Sequence, residues 1–227
     1  MEVEVAREEQ GHGGGPSLVL DADALRLLRQ FAPGRRLLDV GSGDGRFLQS
    51  AVREGFTAAG TDISPQLAET ARHRSGCPVH VGALPDLQLP SASFDVVNLD
   101  LVLMYVPDPV PLLCEVTRLL VPGGVCRIRE CFGDSLNARL QRDRWWFYCD
   151  TTLRVYSRRS IRCLAKQAGL TPLHWFAGTE VSLDTWSRYA ARKKHHRFRK
   201  LVQFGLKRAS LFGVPVAGDG TCYLRKC

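Results

Sequence analysis

A chain of 227 residues, 44% hydrophobic and 24% charged, has the composition of a folded globule and the length for one α/β domain with a sizeable core. The formal net charge of +8 favours acidic substrates or partners without bearing on fold. No stretch is long and apolar enough to span a bilayer, and the start MEVEVAREEQGHGGGP lacks the basic opening and apolar run of a secretory signal, so a cytoplasmic protein is expected.

Residues 1–17 read as a disordered tail. Leu18 to Phe31 carries Leu20, Ala24, Leu27 and Leu28 at helical spacing and ends at Pro33-Gly34. Arg36 to Val40 is a short apolar strand. Gly45 to Glu54 then reads as a helix, Phe56 to Ile63 as a strand, Pro65 to Ser75 as a helix with proline in its first turn, and Val79 to Val81 as a strand. Phe94 to Leu99 is a fourth strand. Pro109 to Leu120 is a helix that stops before Pro122-Gly123-Gly124, and Val125 to Cys131 is a fifth strand. Alternation with short connections predicts a doubly wound parallel sheet in one domain, residues 18–227. The pattern breaks from Phe132 to Thr152, a segment holding Trp145, Trp146, Phe147 and Tyr148. Ser160 to Ala168 is a helix ended by Gly169, Leu170 to Phe176 a sixth strand, residues 184–208 a basic helical segment, and Thr221 to Arg225 a last strand. The eight cysteines form no Cys-x-x-Cys pair and read as reduced thiols, and no metal site is expected; His195-His196 has no metal spacing.

Gly41, Gly43 and Gly45 follow the first strand and open a helix. Such a turn lets backbone approach a ligand at the carboxyl end of a sheet. Arg46 stands where a dinucleotide fingerprint wants its third glycine, and the spacer and lysine of a P-loop are missing. Asp62 lies twenty-one residues after Gly41, the place from which a carboxylate accepts both hydroxyls of a ribose, with Ile63 beside it as an apolar face for adenine. Ser64 is the better cap for the helix at Pro65, which leaves Asp62 for the ribose.

These residues resemble the class I S-adenosylmethionine-dependent methyltransferases. LLDVGSGDG is similar to the family's first motif and GTDIS to its second. Phe94-Asp95, Val106-Pro107-Asp108, Glu115, Arg118-Leu119-Leu120 and Pro122-Gly123-Gly124 then fall at family-like intervals. LRVYSRRSIRCLAKQAGL and LFGVPVAGDGTCYLRK are similar, less strongly, to the subgroup found in glycan and natural-product biosynthesis. The resemblance implies a Rossmann-like seven-stranded sheet whose last strand is antiparallel, and S-adenosylmethionine as cofactor. It implies that Asp39 and the Gly41 to Gly45 backbone, Ser42 and Gly43 included, hold the methionine part. Asp62 would hold the ribose, and Ile63 and the Ala83-Leu84 backbone would flank the adenine. Relatives often have an acidic residue near position 83 and Glu-His before the Val-Pro-Asp. Here the chain reads Gly82-Ala83-Leu84 and Met104-Tyr105, so no histidine base carries over.

Methyl transfer is an in-line displacement in which alignment and water exclusion dominate, and an alcohol acceptor also benefits from a general base. Asp100 and Tyr105 after the fourth strand, Glu130 at the end of the fifth, and Asp150 are the candidates; a turn cap, a pocket wall and a partner for Arg127 or Arg129 are the plain alternatives for the first three. Trp145, Trp146 and Tyr148 lie where the family inserts a substrate lid, near residues 132–152, against the alternative that they pack on the sheet. RKKHHRFRK within 188–208 reads as a solvated face or as a contact for an anionic or carrier-linked acceptor. The expected function is methyl transfer to a small-molecule acceptor, at oxygen of a sugar or secondary metabolite. The alternatives are nitrogen methylation of an amino sugar or peptide, a nucleic-acid methyltransferase, and a non-catalytic cofactor binder. No base-flipping motif or RNA-binding module supports nucleic acid.

Overall fold

The computed structural model describes residues 17–142, 145, 152–177 and 219–227. Trp146, Phe147, Tyr148, Asp150, the tail 1–16 and the basic segment 184–208 lie outside the described residues.

Helices and strands alternate as α1 (Ser17–Phe31), β1 (Arg36–Val40), α2 (Arg46–Arg53), β2 (Thr57–Asp62), α3 (Pro65–Ser75), β3 (Val79–Val81), β4 (Phe94–Asp100), α4 (Pro109–Leu119), β5 (Leu120–Cys131), α5 (Leu136–Gln141), α6 (Arg158–Gln167), β6 (Leu170–Ala177) and β7 (Asp219–Lys226). The strands form one sheet in the order β3-β2-β1-β4-β5-β7-β6. All neighbours are parallel except β7, which runs antiparallel to both β5 and β6. The order reverses between β1 and β4, which opens a crevice at their carboxyl ends.

Successive residues of each central strand serve opposite cores, as the two-residue period requires. Leu38, Val97 and Cys126 pack with Leu113, Val116 and Ile161 under α4 and α6. Leu37, Val96 and Val125 pack with Leu25, Phe47 and Leu48 under α1 and α2. On this second face a polar ladder crosses the sheet. Asp39 stands opposite Asn98, and Asn98 opposite Arg127. Asn98 Nδ2 donates to Asp39 Oδ1 at 2.7 Å, and Arg127 donates to Asn98 Oδ1 at 2.6 Å. One step further along, Asp100 faces Arg129 and accepts from its guanidinium at 3.0 Å.

Among the differences from the sequence reading, three have a visible cause. β5 begins at Leu120 and runs 12 residues, because Leu120 still pairs with Phe94 and a register shift before Val96 absorbs the Pro-Gly-Gly turn. α6 starts at Arg158, fixed by a capping box between Ser157 and Ser160. The segment after Phe132 contains helix α5, capped by Ser135 accepting from the Ala138 amide.

Candidate active site

A cavity of about 510 Å³ fills the crevice, within the roughly 300–1,000 Å³ typical of small-molecule sites. The glycine turn forms one wall, β2's end and Ile63 a second, Gly82 to Pro85 a third, and Asp100 to Val106 the fourth.

The glycine turn is held by the neighbouring strand. The amides of Gly41 and Ser42 both donate to the Thr61 carbonyl, at 2.8 and 2.9 Å. The Gly43 amide donates to Asp62 Oδ2 at 2.8 Å, while Asp62 Oδ1 accepts from the Ser64 amide at 2.9 Å. These amides are therefore committed within the protein and do not form the open nest that a pyrophosphate needs. Asp44 adds to this: its carboxylate accepts from the Arg46 amide at the start of α2 and pairs with Arg46 and Arg74, placing negative charge where a phosphate would sit. Ser64 caps α3 through the Leu67 amide, as its position in the sequence implies.

Of the residues singled out from sequence, Gly41, Gly43, Asp62, Ile63, Ala83, Leu84, Asp100 and Tyr105 line this one cavity. Ile63 is 77% exposed, a large apolar side chain held toward solvent beside Asp62. An Asp62 carboxylate offers about four acceptor positions, so two remain beyond its amide bonds for a vicinal diol. A Cβ at Gly41 would approach Val102 to 2.9 Å, so glycine there lets the first and fourth walls of the cavity come close together.

Asp39, Ser42, Gly45, Glu130 and Trp145 are not among the lining residues. Asp39 is buried under the turn, and burial first, with the nearby Asp100 and Asp21 charges, pushes its carboxyl up to about 7 against the bond from Asn98. Ser42 is also buried. Gly45 has φ near +79°, and its bare Cα lies against the Ala71 backbone, where it lets α2 and α3 pack closely. Glu130 is fully buried on the other face of the sheet, its carboxyl pushed up to about 7, chiefly by burial. Trp145 is buried against Met104, Cys131 and Ala138. The strongest strain near the site is at Leu101, whose φ near +55° directly follows Asp100 and turns the chain from β4 into the fourth wall.

Sequence reasoning did not single out Leu67, Val102, Asp108, Pro111 or Leu112 as site residues, yet they line the cavity. Leu67 had a readable signal, since the third residue of a helix capped by Ser64 faces back toward the end of β2. Val102 and Leu112 had none beyond apolarity. Among the described residues no group of His, Cys, Asp or Glu is arranged to hold a metal ion, and no helix is long and apolar enough to cross a membrane.

Residues 38–128 match the family model described as a methyltransferase domain. Over 94 residues the chain is 34% identical to a demethylmenaquinone methyltransferase of Tropheryma whipplei (strain Twist), covering 40% of this chain and 39% of that protein. Over 102 residues it is 35% identical to a ubiquinone biosynthesis O-methyltransferase of Xanthomonas campestris pv. campestris (strain B100), covering 42% and 43%. The chain thus spans about two fifths of the length of these curated relatives. An S-adenosylmethionine-dependent methyltransferase from Mesorhizobium loti superposes with a TM-score of 0.62 at 20% identity, over 90% of this chain and 96% of that one, which is a likeness of fold. The sheet order and the family match agree: residues 38–128 match a methyltransferase domain, within a sheet of the fold seen in the S-adenosylmethionine-dependent methyltransferase from Mesorhizobium loti.

Proposed function

We propose that this chain transfers the methyl group of S-adenosylmethionine to an oxygen of a small-molecule acceptor that enters between the Asp100 to Val106 wall and the cofactor. The observation that carries this reading is the single cavity in which Asp62 and Ile63 face Asp100 and Tyr105. The bound cofactor supplies a sulfonium methyl group open to in-line displacement. Asp62 accepts the ribose hydroxyls, Ile63 and Ala83-Leu84 enclose the adenine, and the Gly41 to Gly43 backbone lets the methionine part lie close to the sheet. Asp39 and Gly45 act from below: Asp39 underlies the turn and Gly45 sets the spacing of α2 and α3.

Oxygen rather than nitrogen is favoured by two groups that can handle a hydroxyl proton on the acceptor side. Asp100 pairs with Arg129 and Arg127, at 3.0 and 3.4 Å, and its carboxyl oxygens offer an acceptor to a hydroxyl. Tyr105 is 52% exposed and presents a ring and a phenol to the same space. Apart from these two and Thr61, Asp62 and Asp108, the walls are apolar side chains and backbone, which suits a ring-bearing secondary metabolite or sugar. The relative from Xanthomonas bears the name of an O-methyltransferase, which points the same way.

The test is a radiolabelled methyl-transfer screen over phenols, catechols, sugars and primary amines. Label in hydroxyl acceptors, lost in Asp100→Asn and Tyr105→Phe together, is the expected result. Label confined to amines replaces oxygen by nitrogen, and no binding of S-adenosylhomocysteine by calorimetry overturns the reading altogether.

A further inference from the structure

The Leu103–Tyr105 stretch is a single turn of 3-10 helix that carries Tyr105 over the cavity. One turn of 3-10 helix has little stability of its own, so something outside it must fix its place. Two buried side chains do so from the same core. Glu130 Oε1 accepts from the Leu103 amide at 2.7 Å and the Met104 amide at 3.3 Å. The Tyr156 hydroxyl donates to the Leu103 carbonyl at 3.0 Å. The Met104 carbonyl is met in turn by the Leu153 and Arg154 amides, at 3.0 and 3.2 Å. Glu130 is 0% exposed and Tyr156 5%, so these bonds are made away from competing water. Glu130 does not line the cavity, and no acceptor reaches it there.

We propose that Glu130 and Tyr156 are positioning residues that hold the Leu103–Tyr105 turn, and through it the Tyr105 side chain, against the cofactor cavity. This rests on the reading that the cavity takes S-adenosylmethionine. Glu130 thereby acts through two backbone amides and not as a base. A glutamine keeps the carbonyl that those amides need; a methionine keeps the volume and loses the acceptor. The distinction separates positioning from mere packing.

The experiment compares the full chain with Glu130→Gln, Glu130→Met, Tyr105→Ala and the Glu130→Met/Tyr105→Ala pair. Two readouts are S-adenosylhomocysteine affinity by calorimetry and amide hydrogen exchange over residues 101–106. Glu130→Met should weaken binding about tenfold, as expected for loss of a hydrogen bond from buried amides, and speed exchange at Leu103 and Met104. Glu130→Gln should recover most of both. The pair should bind no more weakly than Tyr105→Ala alone, because both changes act on one wall. Unchanged exchange at Leu103 and Met104 in Glu130→Met overturns the proposal whatever the ligand does, and so does full additivity in the pair. If the wild type does not bind S-adenosylhomocysteine, the cofactor reading fails while the exchange data still decide the role of Glu130. Should Glu130→Met not fold, Tyr156→Phe removes the other side-chain hydrogen bond that holds the turn without opening a cavity, and unchanged exchange at 101–106 in that variant overturns the proposal equally.

Discussion

Asp62 accepts a hydrogen bond from the Gly43 amide at 2.8 Å, which fastens the glycine turn to the end of β2 from nineteen residues away in the chain. The same carboxylate accepts from Ser64, so it organises the glycine turn and the start of α3 together. Asp62→Ala takes the acceptor from the half-buried Gly43 and Ser64 amides, and unfolding free energy should fall by about 1–3 kcal/mol. S-adenosylhomocysteine affinity should fall by at least about tenfold, because the proposed ribose acceptor is lost as well. Asp62→Asn keeps one acceptor oxygen and should lie between. Denaturant titration and calorimetry on the same variants separate the two roles: a loss of stability with unchanged affinity would leave Asp62 as a brace for the turn only.

Gly45 and Gly43 differ in what a methyl group would meet. At Gly45, with φ near +79°, a Cβ would come within 2.6 Å of the Ala71 Cα. At Gly43, with φ near +54°, nothing lies within 4 Å. Both alanine variants incur about 1–2 kcal/mol for the left-handed backbone. Gly45→Ala adds a backbone clash of about 1–3 kcal/mol by the cost of overpacking. Urea unfolding should therefore rank Gly45→Ala clearly below Gly43→Ala. Equal stabilities would mean that α2 and α3 separate without cost.

The sheet and the part of the cavity lined by the glycine turn and the end of β2 were largely legible in the sequence because they rest on local rules. Pro65 after Ser64 opens α3 at the expected place, and the acidic residue twenty-one positions after Gly41 ends β2 at the cavity. Motif residues whose chemistry was not obvious prove structural. Asp95 accepts from the Arg36 amide and guanidinium at the far end of the sheet, and Glu115 pairs with Arg118 at 2.6 Å. The buried places of Glu130 and Trp145 were not legible. Both depend on which face of β5 a residue takes and on what the turn after β4 brings near it, which is information held in long-range pairing. The start of β5 was missed for a related reason: Pro122-Gly123-Gly124 reads as a break, yet Leu120 is already paired with Phe94 across the gap.

Among the described residues the thiols divide by burial. Cys114, Cys163 and Cys227 are exposed, whereas Cys77, Cys126, Cys131 and Cys222 are buried. Burial also pushes the Cys126 and Cys222 thiols up, Cys222 to about 12, which suppresses the reactive thiolate. Under native conditions a thiol reagent followed by peptide mass spectrometry should label the three exposed residues within minutes. The four buried ones should label only as the domain unfolds. Early labelling of Cys126 or Cys222 would contradict the close packing of β5 against β7.

Stability should fall as pH rises through the weakly acidic range. Asp21, Asp39 and Glu130 have carboxyls pushed up to about 6, 7 and 7, in each case chiefly by burial. Unfolded, such groups ionise near pH ~4. Between that value and their folded values, the folded chain binds more protons than the unfolded one. Unfolding free energy therefore decreases as pH climbs toward 7 and levels off above it. Glu69 and Asp95 act in the opposite sense, being held low by Arg72 and Arg36, but their contribution is lost only as pH drops through their own lowered values. Thermal melts from pH 5 to 8 should show a falling midpoint that flattens above about 7, the folded value of Asp39 and Glu130. Glu130→Gln, which has no proton to lose, should show a shallower fall over the same window. A midpoint that rises with pH in this range would mean that Asp39 and Glu130 are ionised in the folded protein, with partners for their charge that their present hydrogen bonds do not supply.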